Sequence, residues 1–490
     1  MESNAIVIGS GIAGLCTAAR LSAEGYKVKL FEANGYAGGK VTTVEGAGYR
    51  FDAGPSLFTL PQLLDDTFKA CGKTPDSYYT YNKWPTACHY FWEDGTQLNA
   101  YGDREKFANE VEEKLGVSAH TTVQYLDNAK EVYQATTPLF LEKSLHKLST
   151  YLGKDVLRAF KSLGKLHLNS SLHDLNTKKL VHPKLVQLFD RFATYNGSSP
   201  YLTPGVMATI SHLEHNLGTY YPKGGIHQIT KSLVQLCKDV GVDFYFNERV
   251  EEIIYEGDKV EGVRTTRNTH HSNIVVSNMD VVPSYRELLP AAQAPEKTLE
   301  QPRSSSALIF YWGISRVFKE LDLHNILFSN DYKGEFERIF KDGEVIDDPT
   351  VYINISSKVE ATDAPENAEN WFVMVNVPCD NGQDWEALIE RTRRNVIEKI
   401  NRNLSCNIED HIAFEELLTP KLIEQKTSSY KGALYGASSN NKMAAFLRHP
   451  NFSSKIKGLY FCGGSVHPGG GMPLCMLSGK IVAELISKHG

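Results

Sequence analysis

Three glycines, spaced as Gly9-Ser10-Gly11-Ile12-Ala13-Gly14, lie between an apolar run at 5–8 and a helical pattern reaching about residue 23. Strand, glycine turn and helix in that order make a site for a nucleotide pyrophosphate. Gly9 permits the tight turn, Gly11 lets phosphate approach the backbone, and Gly14 lets the helix lie close on the sheet, while the helix start offers free N–H groups and a positive dipole end. A second strand at 27–31 ends on Glu32, 18 residues after Gly14, where a carboxylate accepts from both ribose hydroxyls of an adenosine. The same acid disfavours a 2′-phosphate, so NADP is not expected. Next come Gly38-Gly39-Lys40, a hairpin pattern at 41–44 and 49–51, and Asp52-Ala53-Gly54-Pro55-Ser56. A nicotinamide enzyme would continue its βαβ alternation here, whereas this pattern returns the chain along an extended cofactor, which fits FAD. No second strand–GxGxxG–helix unit follows: Lys223-Gly224-Gly225 and Gly469-Gly470-Gly471 lack the spacing. Electrons are therefore expected to leave the flavin for an acceptor other than a nicotinamide on its own Rossmann domain.

Near the other end, Gly463-Gly464-Ser465-Val466-His467-Pro468-Gly469-Gly470-Gly471-Met472-Pro473 takes a strand end through a five-glycine loop into a helix. Pro473 suits the first helical position. Such a helix start can point N–H groups at the N1 and C2-carbonyl edge of a flavin, where the reduced ring carries negative charge. His467 in that loop is the catalytic candidate, as acid/base or orienting group, with a satisfied structural histidine as the competing reading. His212, Glu214 and His227 read as structural, and Arg191 as either a core-edge ion pair or a contact to a polar substrate end.

The elements that must position these residues follow from periodicity. Residues 105–195 read as helical, with amphipathic stretches at 122–133, 140–151 and 156–166 and a Pro-bounded helix from 184 to about 193. Residues 220–285 return to α/β, with a helix at 226–239 and strands at 243–246, 250–255, 259–265 and 273–276. Runs at 305–314, 351–356 and 371–378 are β-rich, 385–401 is a helix, and a strand at 458–462 precedes the last helix at 473–488. The expected fold is α/β (α+β overall): a Rossmann-type FAD-binding domain from 1–90, 220–295 and 425–490, a β-sheet substrate domain from 91–104 and 296–424, and a helical insertion at 105–219 serving as membrane-docking or lid region.

Bulk composition narrows the class. With 490 residues, 41% hydrophobic and 22% charged, the chain suits two or three domains and is neither disordered nor fibrous. The balance of 52 Lys+Arg against 58 Asp+Glu, −6 net, and a mean hydropathy of −0.32 exclude a nucleic-acid binder built on bulk positive charge. No run approaches the roughly 20 apolar residues of a membrane span, and the start goes into an apolar strand without a basic n-region, so secretion is not expected. Eight dispersed cysteines, with no C-x-x-C and no Cys/His metal spacing, read as reduced thiols with no metal site.

Taken together, the stretches at 9–14, 38–40, 52–56, 222–225 and 463–473, with Glu32, resemble the bacterial phytoene desaturase family of FAD-dependent carotenoid desaturases, of the amine oxidase/phytoene desaturase superfamily. The likeness runs the whole length and is most specific at 188–200 and 210–225, with further family-like stretches at 323–328 and 348–352. Segments 192–196 and 465–472 look most like the hydroxycarotenoid 3,4-desaturase branch, which acts on a carotenoid end already hydrated or cyclised. The resemblance implies FAD contacts from Gly9, Ser10, Gly11, Ala13 and Gly14 at the pyrophosphate, Glu32 at the ribose, and Gly39 and Lys40 near the phosphates. It places Gly54, Pro55 and Ser56 along the flavin, Val250 at the adenine, and Gly464, Met472 and Pro473 at the ribityl chain and pyrimidine edge. Ser465 departs from relatives that carry an acid after the glycine pair.

It further implies that hydride leaves an allylic carbon for flavin N5, the polyene delocalises the cation, and a neighbouring proton is lost. Alignment, dryness and a modest base then suffice. The implied partners are a carotenoid, an electron acceptor such as O2 or quinone, and a lipid bilayer surface, with a cytoplasmic location peripheral to the inner face of the membrane. Residues 139–168 hold Lys143, Lys147, Lys154, Arg158, Lys161 and Lys165 against Glu142 and Asp155, a pattern suited to anionic lipid. Residues 331–369, with eleven acids against four bases, are expected to face water. Competing readings are a phytoene desaturase, an amine or protoporphyrinogen oxidase, and a non-catalytic isoprenoid-binding flavoprotein. The amine reading is disfavoured because the 463–472 loop lacks the aromatic residue such oxidases use beside the flavin.

Overall fold

The computed structural model describes residues 4–147, 150–151, 164, 166–441 and 447–488. Strand β1 (Asn4–Ile8) leads through the glycine turn into helix α1 (Ile12–Ala23) and strand β2 (Lys27–Phe31). After Asn4, β1 is apolar and buried because helices cover both faces of a parallel sheet. That sheet runs Leu459–Phe461, Val275–Ser277, β1, β2, Asp243–Tyr245, all parallel, so its five strands come from widely separated stretches of chain. α1 packs against helices His227–Asp239 and Met472–Ser487. At its first turn a Cβ on Gly14 would lie 2.2 Å from the carbonyl oxygen of Gly9, so the corner has room for glycine alone.

A second sheet runs Ile412–Leu418, Ser306–Ile314, Glu369–Val377, Val351–Ile355, His324–Leu327, Thr86–Phe91, Gln97–Tyr101. Its pairings are antiparallel except between His324–Leu327 and Thr86–Phe91. Side chains alternate along these strands. Leu308, Phe310, Trp312, Ile353, Val373 and Val375 bury one face in a core that takes in Trp385, Val396 and Ile400 of helix Trp385–Leu404. Ile309, Tyr311, Phe372 and Met374 turn the other way, into a cluster with Tyr49 and Phe51. The sheet takes in Thr86–Phe91 and therefore begins before residue 91.

Two expectations are corrected. Helix Ala119–Phe140 stops two residues beyond Pro138, and 141–147 form turns and bends rather than the helix expected at 140–151. The Thr150 hydroxyl donates to the Ser144 carbonyl at 2.6 Å, closing this segment on itself. The stretch 331–369 is not a solvated acidic loop. It contains the inner strand Val351–Ile355, and Glu335, Asp363 and Glu369 are each 2% exposed. Partners keep these acids inside: Asp363 pairs with Arg50 at 3.0 Å and Glu369 with Lys358 at 2.7 Å. The helix expected at 156–166 and the basic residues Lys154, Arg158, Lys161 and Lys165 lie outside the described residues. Among the described residues, no helix is long and apolar enough to cross a membrane, and no His/Cys/Asp/Glu group has metal-binding arrangement.

Candidate active site

A cavity of about 1050 Å³ opens where the C-terminal ends of the parallel strands face the second sheet, the place where open α/β sheets take ligands. Gly9, Gly11 and Ala13 form one part of its wall. α1 starts on Gly11 with no side-chain cap and no acid in its first turn, leaving its first N–H groups and dipole end open. The helix Met472–Ser487 starts similarly uncapped on Gly471, and Met472, Pro473 and Gly464 line the cavity. Gly39, Lys40, Gly54, Pro55, Ser56 and Val250 complete this half. A Cβ on Gly54 would sit 1.8 Å from the Lys40 carbonyl oxygen, so the two loops cross without space for a side chain.

Glu32 lines the cavity but is 7% exposed. Its Oε2 accepts from the Ser10 N–H at 3.0 Å and hydroxyl at 2.6 Å, and its Oε1 from the Asn34 N–H at 2.9 Å and Nδ2 at 3.0 Å. These donors fill about four carboxylate acceptor sites, so a ribose hydroxyl must displace a rotatable donor, Ser10 Oγ or Asn34 Nδ2. Lys40 donates to the carbonyls of Ala433 at 3.2 Å and Leu434 at 2.8 Å. Burial pulls its ammonium down to about 8, with Asp280 opposing. No carboxylate lies within ion-pair distance of Lys40 among the described residues. An under-compensated buried cation, two open helix starts and an aligned acid fit the pyrophosphate and ribose of FAD.

Three expected site residues stand elsewhere. Ser10 and Gly14 are not in the cavity wall: Ser10 spends both donors on Glu32, and Gly14 lies against Gly9 and Asn278. His467 is also outside it, 2% exposed, with Nε2 bonded to the Lys143 carbonyl at 2.8 Å. Burial draws its imidazole down to about 4, so it is a neutral structural histidine and not a group facing the cavity. Ser465 reaches the wall, and its Oγ accepts from the Val281 N–H at 2.9 Å. Arg448, which sequence patterns do not single out, is 3% exposed and donates to the carbonyls of Tyr435 at 2.8 Å and Gly464 at 3.3 Å, bracing the glycine loop from behind.

The other half of the cavity is largely apolar, with Ile309, Ile326, Phe372, Met374 and Leu434 in its wall. Polar groups interrupt it at defined points. Arg191 donates to Glu214 at 2.6 Å and to the Tyr90 hydroxyl at 2.8 Å, and the Tyr195 hydroxyl donates to Glu214 at 2.6 Å. Burial works against the Glu214 carboxylate, but Arg191 and its other partners hold it below the usual range. Arg191, Tyr195 and His227 line the cavity; His212 and Glu214 do not. The Tyr352 hydroxyl lies 2.7 Å from Ser56 Oγ and 2.8 Å from His324 Nδ1, joining a cofactor-side loop to the second sheet.

Residues 12–487 match the model of the flavin-containing amine oxidoreductases. The chain belongs to that family. It is 56% identical to a 1-hydroxycarotenoid 3,4-desaturase of Flavobacterium sp. (strain P99-3), over 98% of each chain. A 4,4'-diaponeurosporene oxygenase of Staphylococcus haemolyticus (strain JCSC1435) is 31% identical, over 99% of this chain and 97% of that one. Among solved structures, cyclohexylamine oxidase from Brevibacterium oxydans IH-35A superposes with a TM-score of 0.66 at 15% identity, covering 100% of this chain and 99% of its own. A putrescine oxidase bound to putrescine gives 0.64 at 13%, with the same coverage. These two share the fold. As a flavin-containing amine oxidoreductase of the phytoene-desaturase kind, the protein is a redox enzyme, and its family binds FAD.

Proposed function

We propose that this flavoenzyme desaturates a carotenoid with a hydroxylated or monocyclic end, introducing the 3,4 double bond. What carries the reading is the 56% identity, over 98% of both chains, with a 1-hydroxycarotenoid 3,4-desaturase. The apolar half of the cavity suits a hydrocarbon chain, and the 463–472 loop offers no aromatic partner for an amine. Bound FAD supplies a hydride acceptor at N5. The chain holds it through the wall residues of the glycine turn, Glu32, the 39–40 and 54–56 loops, Val250, Gly464, Met472 and Pro473. Ile309, Ile326, Phe372 and Met374 exclude water and align the polyene, whose own conjugation spreads the developing charge. Water exclusion and alignment are therefore the main tasks of the protein, and His467 has none at the reacting carbons.

The stretches 1–85, 220–295 and 425–490 act as one FAD-binding unit, and 86–104 with 296–424 as the substrate side. The protein collects its substrate at the cytoplasmic face of a bilayer through the basic segment 139–168 and passes electrons to O2 or a quinone. Incubating the flavoprotein with a hydroxylated acyclic carotenoid in liposomes tests the reaction. The expected product is lighter by two hydrogens and absorbs at longer wavelength; recovery of unchanged carotenoid alone overturns the reading.

A further inference from the structure

Along strand Val351–Ile355, Tyr352 and Asn354 share a face, paired with Ile326 and His324 on the neighbouring strand. The structure thereby stacks Asn354, His324, Tyr352 and Ser56 into one line of hydrogen bonds that reaches the cavity. His324 is 2% exposed, and burial draws its imidazole down to about 3, so the ring is neutral. Its Nδ1 faces two groups: Asn354 Nδ2 at 3.2 Å, an obligate donor, and the Tyr352 hydroxyl at 2.8 Å. Nδ1 is therefore the acceptor, the ring proton sits on Nε2, and the Tyr352 proton points to His324. Ser56 Oγ, 2.7 Å from the Tyr352 oxygen, then donates to it. With both protons committed inward, Ser56 and Tyr352 present lone pairs alone to the cavity they line.

Such a pair recognises a group that brings its own hydrogen. It offers nothing to an ether, a carbonyl or an unmodified hydrocarbon end. Arg191, another polar group of this wall, has the opposite character: a guanidinium carries donors only. Position separates the two as well. Ser56 follows Gly54-Pro55 directly, and the Tyr311 hydroxyl fixes the loop by donating to the Ala53 carbonyl at 2.6 Å. In a 1-hydroxy chain the oxygen is three bonds from carbon 3, about 4 Å at ordinary bond lengths, so its binding group must stand beside the reacting bond.

We propose that Ser56 and Tyr352, oriented by His324, form the specificity element of this enzyme: an acceptor-only contact that selects a polyene with a free tertiary hydroxyl near the bond to be desaturated. This rests on the desaturase reading above. The test compares kcat/KM of the holoenzyme for a 1-hydroxylated acyclic carotenoid, its 1-methyl ether and the unhydroxylated chain, each in liposomes, with flavin content measured for every preparation. Wild type is expected to prefer the free alcohol over both analogues. Tyr352→Phe and Ser56→Ala should each lower the ratio of alcohol to unhydroxylated chain roughly tenfold, the worth of one neutral hydrogen bond. The ratio is taken within one preparation, so a loss of folded enzyme cancels, and either variant that retains flavin decides the question. Unchanged ratios in the variants, or wild-type turnover of the ether equal to that of the alcohol, overturn the proposal while leaving desaturation intact. Wild-type inertness toward all three polyenes overturns the desaturase reading itself.

Discussion

Glu335 sits in the cavity wall, 2% exposed, accepting from the Thr350 N–H at 3.2 Å and hydroxyl at 2.7 Å. Burial pushes its carboxyl up to about 7, and the Thr350 bonds only partly offset this. Below the unfolded value of 4.5 both states are protonated and the group costs nothing; as pH rises through 7 the folded state bears the full cost of the buried charge. Glu335→Gln is therefore expected to raise stability at pH 8 by about 3 kcal/mol, with the gain vanishing by pH 4.5. Denaturant melts at both pH values check it, and an equal gain at the two would remove the titration as its cause. Glu32→Ala deletes a carboxylate whose alignment Ser10 and Asn34 maintain. Flavin affinity should fall roughly 10- to 100-fold, the range for hydrogen bonds to a charged group, seen as flavin lost on gel filtration. Undiminished flavin content would refute the ribose role.

At the level of elements, the Arg191–Glu214 pair ties the turn Arg191–Asn196 to Leu213–Leu217 with both side chains at 7% exposure or less. Arg191→Ala leaves Glu214 charged and buried, a loss of about 3–5 kcal/mol, whereas an Arg191→Met/Glu214→Leu double variant should recover most of it. Thermal melts of the two variants give the comparison; equal losses would show that packing, not charge, carries the site. The same contrast of local and distant determinants explains what could be read from sequence. Strand Lys259–Thr265 and helix His227–Asp239 were evident because apolar period and turn residues are local signals. Thr86–Phe91 was not: it forms a local hairpin with Gln97–Tyr101, but the strand that joins this hairpin to the second sheet, His324–Leu327, lies more than 230 residues away. Glycine spacing and an acid at a set distance likewise announce a cofactor loop. The Ser56–Tyr352–His324 line has no such spacing: register across the second sheet creates it, and His467 misled because its loop borders the cavity while its ring does not.

The whole molecule places two sheets around one cavity, one supplying open helix starts and loops for a nucleotide, the other an apolar face with a few oriented polar groups. No described helix is long and apolar enough to cross a bilayer, and the proposed docking to a bilayer surface is tested at the basic segment. Changing Lys154, Arg158 and Lys161 together to Glu should cut partition onto anionic vesicles by roughly 100-fold or more, at about 1 kcal/mol per basic residue. Unchanged cosedimentation would assign the basic segment to the protein's own solvated surface. In the proposed reaction a polyene hands its hydride to a flavin held at the head of the first sheet. Anaerobic mixing of the flavoprotein with a 1-hydroxylated carotenoid in liposomes tests it most directly. Bleaching of the flavin absorbance in step with a red shift of the polyene bands is the predicted result; bleaching by an amine, with none by any carotenoid, would contradict it.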